Sequence, residues 1–372
     1  MAPTSSHLCL QLSYEGKSMT RPAQAGFGIV ELMIAMTLGL FLSAAVIQVT
    51  LASQRSQRIL EAAGQLQESG RIAISFLTRD LRMAGYMGCP NLERIPVNII
   101  AKNLPSDFNF SAAGVLVGQD NVSASNDYDA VENSDVVIIQ RAASPAVNLV
   151  GNVDQDNANI QISANPAGIG ANDLVFVTDC ITADLFRATN VSNGNGNGNG
   201  NGNGNGNNNS KVTIAHASNN NTPNRLSKIY STDAEVMGFQ SLAYFIRDTN
   251  RTTAAGNPIH SLWVQARSLG SGAAPAATEL VEGVENMQIS YGEDTNDDRN
   301  IDVYRSAADV SNWAAVLSIR IELLMHSLDD NIVGSSGEFV QNNLEFNGAA
   351  VASDQRLRQV YRTAVAIRNR LP

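Results

Sequence analysis

The stretch from Gln24 to Val49 limits this chain more than any other part of it. Gln24-Ala25-Gly26-Phe27-Gly28-Ile29-Val30-Glu31-Leu32-Met33-Ile34-Ala35-Met36 runs on through Leu38, Gly39, Leu40, Phe41 and Leu42 with one acid, Glu31, near its start. About 20 apolar residues in a row suffice to cross a bilayer as a helix. An isolated carboxylate at the bilayer centre costs about 2.5–3.5 kcal/mol on insertion scales, so Glu31 points to a dedicated partner. The plain reading is an uncleaved signal anchor with a stray acid. An ordinary secretory signal is cut after its apolar region, which is then lost.

Gly26 before a candidate cut, Phe27 after it, an acid four residues further on and a long apolar helix together resemble the prepilin signal of the type IV pilin family. The resemblance implies cleavage by prepilin peptidase between Gly26 and Phe27, N-methylation of Phe27, and a mature chain that keeps its membrane helix. Gly28 departs from the Thr or Ser often found there. A charged Glu31 would pair with the free amine of Phe27, on its own subunit or a neighbour, which removes two unpaired charges from hydrocarbon at once. Glu31 is therefore the expected assembly residue. Small residues Gly39, Ala44 and Ala45 would let neighbouring helices approach closely. Residues 1–26 form the leader. Translation is expected to begin at Met19, because Met19 to Gly26 is a short basic leader and Glu15-Gly16-Lys17 would be encoded by a purine-rich, ribosome-binding type of stretch.

Charge bears on partners. The formal net charge is −10, and loss of residues 1–26 leaves 23 basic and 34 acidic residues, net −11. Phosphate binding needs a basic surface, so nucleic acid is not expected as the main partner. Of three cysteines, Cys9 lies in the leader and Cys89 and Cys180 remain. An even pair in a periplasmic domain suggests one disulfide, worth about 4–5 kcal/mol for a loop of about 90 residues; two buried thiols are the alternative.

The helix is expected to continue beyond the membrane, from Phe27 to about Met83, roughly 85 Å at 1.5 Å per residue. Ile59, Leu66, Ala73, Leu77 and Leu81 recur at helical spacing among Arg55, Arg58, Glu61, Glu68, Arg71 and Arg79, and Gly85 with Gly88-Cys89-Pro90 should end the run. We divide the chain into residues 27–51 as the transmembrane or filament-core segment, 52–88 as its amphipathic continuation, and 89–372 as a β-rich periplasmic domain. Alternating apolar and polar residues predict strands at Val115–Val117, Asp135–Arg141, Ile160–Ser163, Asp173–Thr178, Lys211–Ala215, Phe239–Arg247, Ser261–Arg267, Met287–Tyr291, Val316–His326 and Val360–Ile367. One long helix followed by strands predicts an α+β fold with a mostly antiparallel sheet. The Asn-Gly repeat over 193–209 has no apolar side chain to bury and predicts a disordered surface loop.

Beyond the helix the sequence resembles a narrower group, the PilW-type minor pilins of type IV pilus assembly. Four segments carry this: Leu81-Arg82-Met83-Ala84-Gly85-Tyr86-Met87-Gly88-Cys89; Val175-Phe176-Val177-Thr178-Asp179-Cys180 with Ala183-Asp184-Leu185-Phe186; Glu279 to Gly292; and Tyr361 to Arg370. The resemblance implies the type IV pilin fold, a long N-terminal helix laid across an antiparallel sheet. It also implies a priming complex with other minor pilins at the inner membrane, growth of a filament of major pilin, and association with a PilY-type tip adhesin. Expected outcomes are twitching motility or adhesion. A minor pseudopilin of type II secretion shares the signal and helix and is the runner-up. A tip adhesin would rest only on the Asn-Gly loop and an acidic turn.

No phosphate loop, His-Glu-x-x-His or Gly-x-Ser-x-Gly motif occurs, and His216, His260 and His326 show no metal-ligand spacing, so no enzyme is expected. Asp294, Asn296, Asp298, Asn300 and Asp302 place oxygens at alternate positions, as in an EF-hand-type calcium loop. Arg299 stands where such a loop has Gly and Arg305 where it has a bidentate Glu, with Glu293 as a substitute; the alternative is an acidic turn. Arg356, Arg358, Arg362, Arg368 and Arg370 form a basic run, expected to be a paired or solvated face rather than a DNA-binding one.

Overall fold

The computed structural model describes residues 26, 28–88, 95–105, 108–151, 153–193, 211–267, 269, 275–334, 341, 343–351 and 354–370. Expectations for the leader up to residue 25, Phe27, Cys89 and the Asn-Gly run from 194 onward lie outside these residues. The chain falls into two units, residues 1–56 and 57–372.

One helix, α1 (Ile29–Arg82), spans 54 residues, with Glu31 in its first turn and Arg79 and Arg82 in its last, as the helix dipole favours. It stops near the expected glycines: Gly85 takes a φ of 73°, and its N–H donates to the Gln140 carbonyl. Glycine enters that left-handed region without steric cost.

In the second unit α1 buries Ala62, Leu66, Gly70, Ala73, Leu77 and Leu81, one stripe at three- and four-residue spacing. Ile59, expected to begin the stripe, is half-buried. Gly70 joins it because the Tyr361 ring lies against the helix there: a Cβ on Gly70 would stand 2.4 Å from it. The Tyr361 hydroxyl donates to the Leu66 carbonyl at 3.0 Å.

The strands are β1 (Val97–Ile99), β2 (Leu116–Gln119), β3 (Val136–Ala142), β4 (Val147–Asn148), β5 (Asn159–Ile162), β6 (Leu174–Thr178), β7 (Ala183–Arg187), β8 (Asn190–Asn193), β9 (Val212–Ala215), β10 (Glu235–Thr252), β11 (Pro258–Ala266), β12 (Thr278–Glu282), β13 (Val284–Glu293), β14 (Val303–Arg305), β15 (Val316–His326), β16 (Glu345–Phe346), β17 (Ala349–Ala350) and β18 (Arg358–Ala366). Each predicted run falls on one of them. A nine-stranded sheet runs β1-β7-β6-β10-β11-β12, with β2, β3 and β4 joined at its side. A four-stranded sheet runs β14-β13-β15-β18, and β5-β9-β8 and β16-β17 form smaller ones. The named strand pairs are antiparallel except β1 with β7. The fold is α+β.

Leu66, Leu77 and Leu81 share a core with Tyr291, Ile319, Ile321 and Val365 of the four-stranded sheet. Asp135 ties that sheet to the larger one: its carboxylate accepts from the amides of Asn121 (2.8 Å) and Ile289 (2.7 Å), and its own amide donates to Met287 at 2.9 Å. Burial outweighs these bonds and raises its pKa to about 6.

Candidate assembly site

From Gly28 to Arg58 every side chain of the chain's N-terminal part is exposed, and Ile29, Leu32, Met33, Leu38, Leu40, Phe41 and Leu51 are each more than half exposed. An 18-residue window of α1 reaches a mean hydropathy of 2.2, enough by length and composition to cross a membrane. Between Ile29 and Leu51 the hydroxyls are satisfied within the helix. Thr37 donates to the Ile34 carbonyl at 2.9 Å, and Ser43 and Thr50 to Gly39 and Val46 at 2.8 Å. That leaves Glu31 as the one charged side chain between Ile29 and Gln54. Its place in the first turn sets it beside unpaired helix amides and within a few residues of Phe27. No atom lies within 4 Å of where a Cβ on Gly39 would stand.

The turn between β6 and β7 holds Cys180, which is disulfide-bonded to a partner outside the described residues. Asp179 caps the turn, accepting from the amides of Ile181 and Thr182 at 3.1 Å, and pairs with Lys228. Burial alone would raise the Asp179 pKa, but the hydrogen bond from Lys228 and those amides hold it below the usual carboxylate value.

At the acidic turn Asp294 accepts from the amides of Asn296, Asp297 and Arg299, and Asp302 from the amide and hydroxyl of Thr295. Arg299 takes the left-handed φ of 66° that a calcium loop gives to glycine. The suggested substitute ligand, Glu293, is not available. It is buried, bonded to Ser311 and Asn312, and 3.0 Å from Arg305. Among the described residues no group of three or more His, Cys, Asp or Glu is placed to hold a metal.

The C-terminal basic run is largely consumed inside the fold. Arg356 pairs with Asp354, Arg358 with Glu285 and Asp354, Arg362 with Glu322, and Arg370 donates to the carbonyls of Trp313 and Val316. Sequence spacing does not show that His260 and His326, 66 residues apart in the chain, meet edge to face with ring centroids 6.5 Å apart. Burial lowers the pKa of both, which favours neutral rings.

Two family models match. The prokaryotic N-terminal methylation motif covers residues 21–47, and type IV pilus-assembly protein W covers residues 243–369. The first spans Gly26, Phe27 and Glu31; the second runs from within β10 through β18 to Asn369. A type IV-like pilin from Thermus thermophilus is similar at 15% identity, over 36% of this chain and 80% of that one, with a TM-score of 0.20, too low to equate the two folds. No curated protein matches the chain.

An N-terminal methylation motif leading into one long apolar helix, with a mostly antiparallel β-rich part behind it, resembles the organisation of a type IV pilin. Within that organisation, residues 243–369, about a third of the chain, match type IV pilus-assembly protein W. Of the four segments that carried the narrower resemblance, Glu279–Gly292 and most of Tyr361–Arg370 lie inside the family match.

Proposed function

We propose that this chain is a minor pilin that primes type IV pilus assembly together with other minor pilins at the inner membrane. The observation that carries the proposal is the prepilin motif ahead of a helix whose apolar surface is uncovered from Ile29 to Leu51. Such a surface needs lipid before assembly and neighbouring helices after it. On this reading prepilin peptidase cuts between Gly26 and Phe27, Phe27 is N-methylated, and residues 89–372 face the periplasm. Glu31 recruits by pairing with a Phe27 amine, and Cys180 is joined to Cys89. The role is structural rather than catalytic. The major pilin and a PilY-type tip adhesin are the further partners, with twitching or adhesion as the outcome. The match to the W family speaks for the pilus over a type II secretion pseudopilus.

Mass spectrometry of the mature N-terminus, in sheared filaments and in inner membranes, tests this. N-methylated Phe27 at low abundance in filaments is the expected result. An uncut Gly26–Phe27 bond in both fractions overturns it. Glu31→Ala is expected to be cut normally yet to fall about tenfold in filaments, since it leaves a charged amine unpaired in hydrocarbon.

A further inference from the structure

We propose that the outer edge of β18 is a docking strand, which an extended segment of another pilus-assembly subunit joins as an added β-strand. The pairing with β15 fixes which backbone groups point outward. The Ile367 amide donates to Leu317 and the Ser327 amide to Leu357, and Tyr361 stands opposite Leu323 in the same register. Odd-numbered residues of β18 therefore bond to β15, and the N–H and C=O groups of even-numbered ones face away. At Arg358 this outward pair is taken by the side-chain amide of Gln341, which accepts from the Arg358 amide and donates to its carbonyl as a neighbouring strand would. At Val360, Arg362, Ala364 and Ala366 the outward backbone groups meet no partner among the described residues.

Beyond Arg358 this edge has few of the features that keep edges from pairing. Val360-Tyr361-Arg362-Thr363-Ala364-Val365-Ala366 has one charge, no proline and no register shift against β15. The β12 edge differs, with a register shift against β11 and with Glu279 and Glu282 both on Arg251. A groove of about 560 Å³ lies along the first half of the β18 edge, where Leu357, Val360 and Arg362 line it together with Ala63, Gln341, Leu344 and Glu345.

The groove specifies its occupant. An extended strand presents donors and acceptors at the two-residue repeat the edge requires. Small or apolar side chains suit the positions over Ala63 and Leu357, and an acid suits the place opposite Arg362, whose side chain is 62% exposed although one of its nitrogens already bonds Glu322 and the Glu345 carbonyl. A second copy fits poorly. Each copy carries a net charge of −10, and fully overlapped antiparallel β18 edges would set their two Arg362 side chains diagonally on one face. Only the identity of the subunit that brings the strand rests on the proposed function.

Residue-resolved hydrogen exchange on the full chain tests the docking strand, in detergent alone and in native membranes with the other pilus-assembly proteins. The amides of Val360, Arg362, Ala364 and Ala366 should exchange freely in detergent and slow by at least about tenfold in the assembly. Those of Tyr361, Thr363 and Val365 should be protected in both. Ala364→Pro removes the central outward N–H and should abolish the slowing at 362 and 366 while Thr363 and Val365 stay protected. Fast exchange of the even amides in both samples overturns the proposal. Protection in detergent that rises with concentration assigns the edge to a second copy, and protection at every concentration assigns it to this chain's own residues; either overturns it. The N-terminal mass read from the same samples separates failure of the docking strand from failure of the pilus reading.

Discussion

The two parts of α1 share one backbone and differ in what covers them. From Ile29 to Leu51 the helix is apolar on all sides and exposed on all sides, with Glu31 as its lone charge. From Ala62 to Leu81 it is apolar along one stripe, and that stripe is buried to 4% exposure or less at Ala62, Leu66, Ala73, Leu77 and Leu81. An all-round apolar helix makes its contacts with lipid or with other helices. A one-stripe helix is satisfied by a single sheet. The first part thus meets no cover among the described residues, and the second is covered by its own fold.

The sharpest way to break this contrast is truncation of one leucine in each part. Leu77→Ala removes a fully buried side chain, and should cost the folded domain about 2–5 kcal/mol in denaturant unfolding. Leu40→Ala, at a site 73% exposed, should change the same measurement by less than about 0.5 kcal/mol. Equal losses would mean that the exposed part also stabilises the domain.

A smaller effect should distinguish the covered region by pH. The folded pKa of Asp135 is raised from 3.8 to about 6, so between those values the folded state binds more protons than the unfolded one. Stability from this group therefore rises as pH falls through 6 and is complete below about 4, a gain on the order of 2–3 kcal/mol. The difference in unfolding free energy between wild type and Asp135→Asn from pH 7 to 4 measures it, and a flat difference would refute it. The smallest effect is expected at the exposed acidic turn. Asp294 and Asp302 already accept the loop's own donors, and Glu293 is held by Arg305. Isothermal titration with calcium should show no saturable heat; a saturable one would restore the calcium reading of Asp294, Asn296, Asp298, Asn300 and Asp302.

Legibility in the sequence follows periodicity. Runs such as Val316–His326 and Ile160–Ile162 alternate or are continuously apolar, and both are strands. Ala183-Asp184-Leu185-Phe186-Arg187 does not read as one, since an acid and a base interrupt it, yet all five residues of β7 are buried. Asp184 accepts from Asn98, Ser227 and Tyr230, and Arg187 donates to the carbonyls of Lys102 and Asn172. Those partners lie 15 to 86 residues away, beyond any local pattern. The N-terminal methylation motif is legible because it is a short linear string within residues 21–47. Glu293 reads as a ligand in the sequence because its partners, Ser311 and Asn312, reach it only when the chain folds back.

The sequence by itself determined the long apolar helix, its single acid, the N-terminal methylation motif and the order of strands, because each depends on residues within a few positions of one another. Tertiary structure alone decided which face of α1 is covered, where the buried charges Asp135, Asp184 and Arg358 find partners, and which edge of β18 meets no strand among the described residues. Those outcomes depend on distant segments meeting, and burial and hydrogen bonding are settled only once they do.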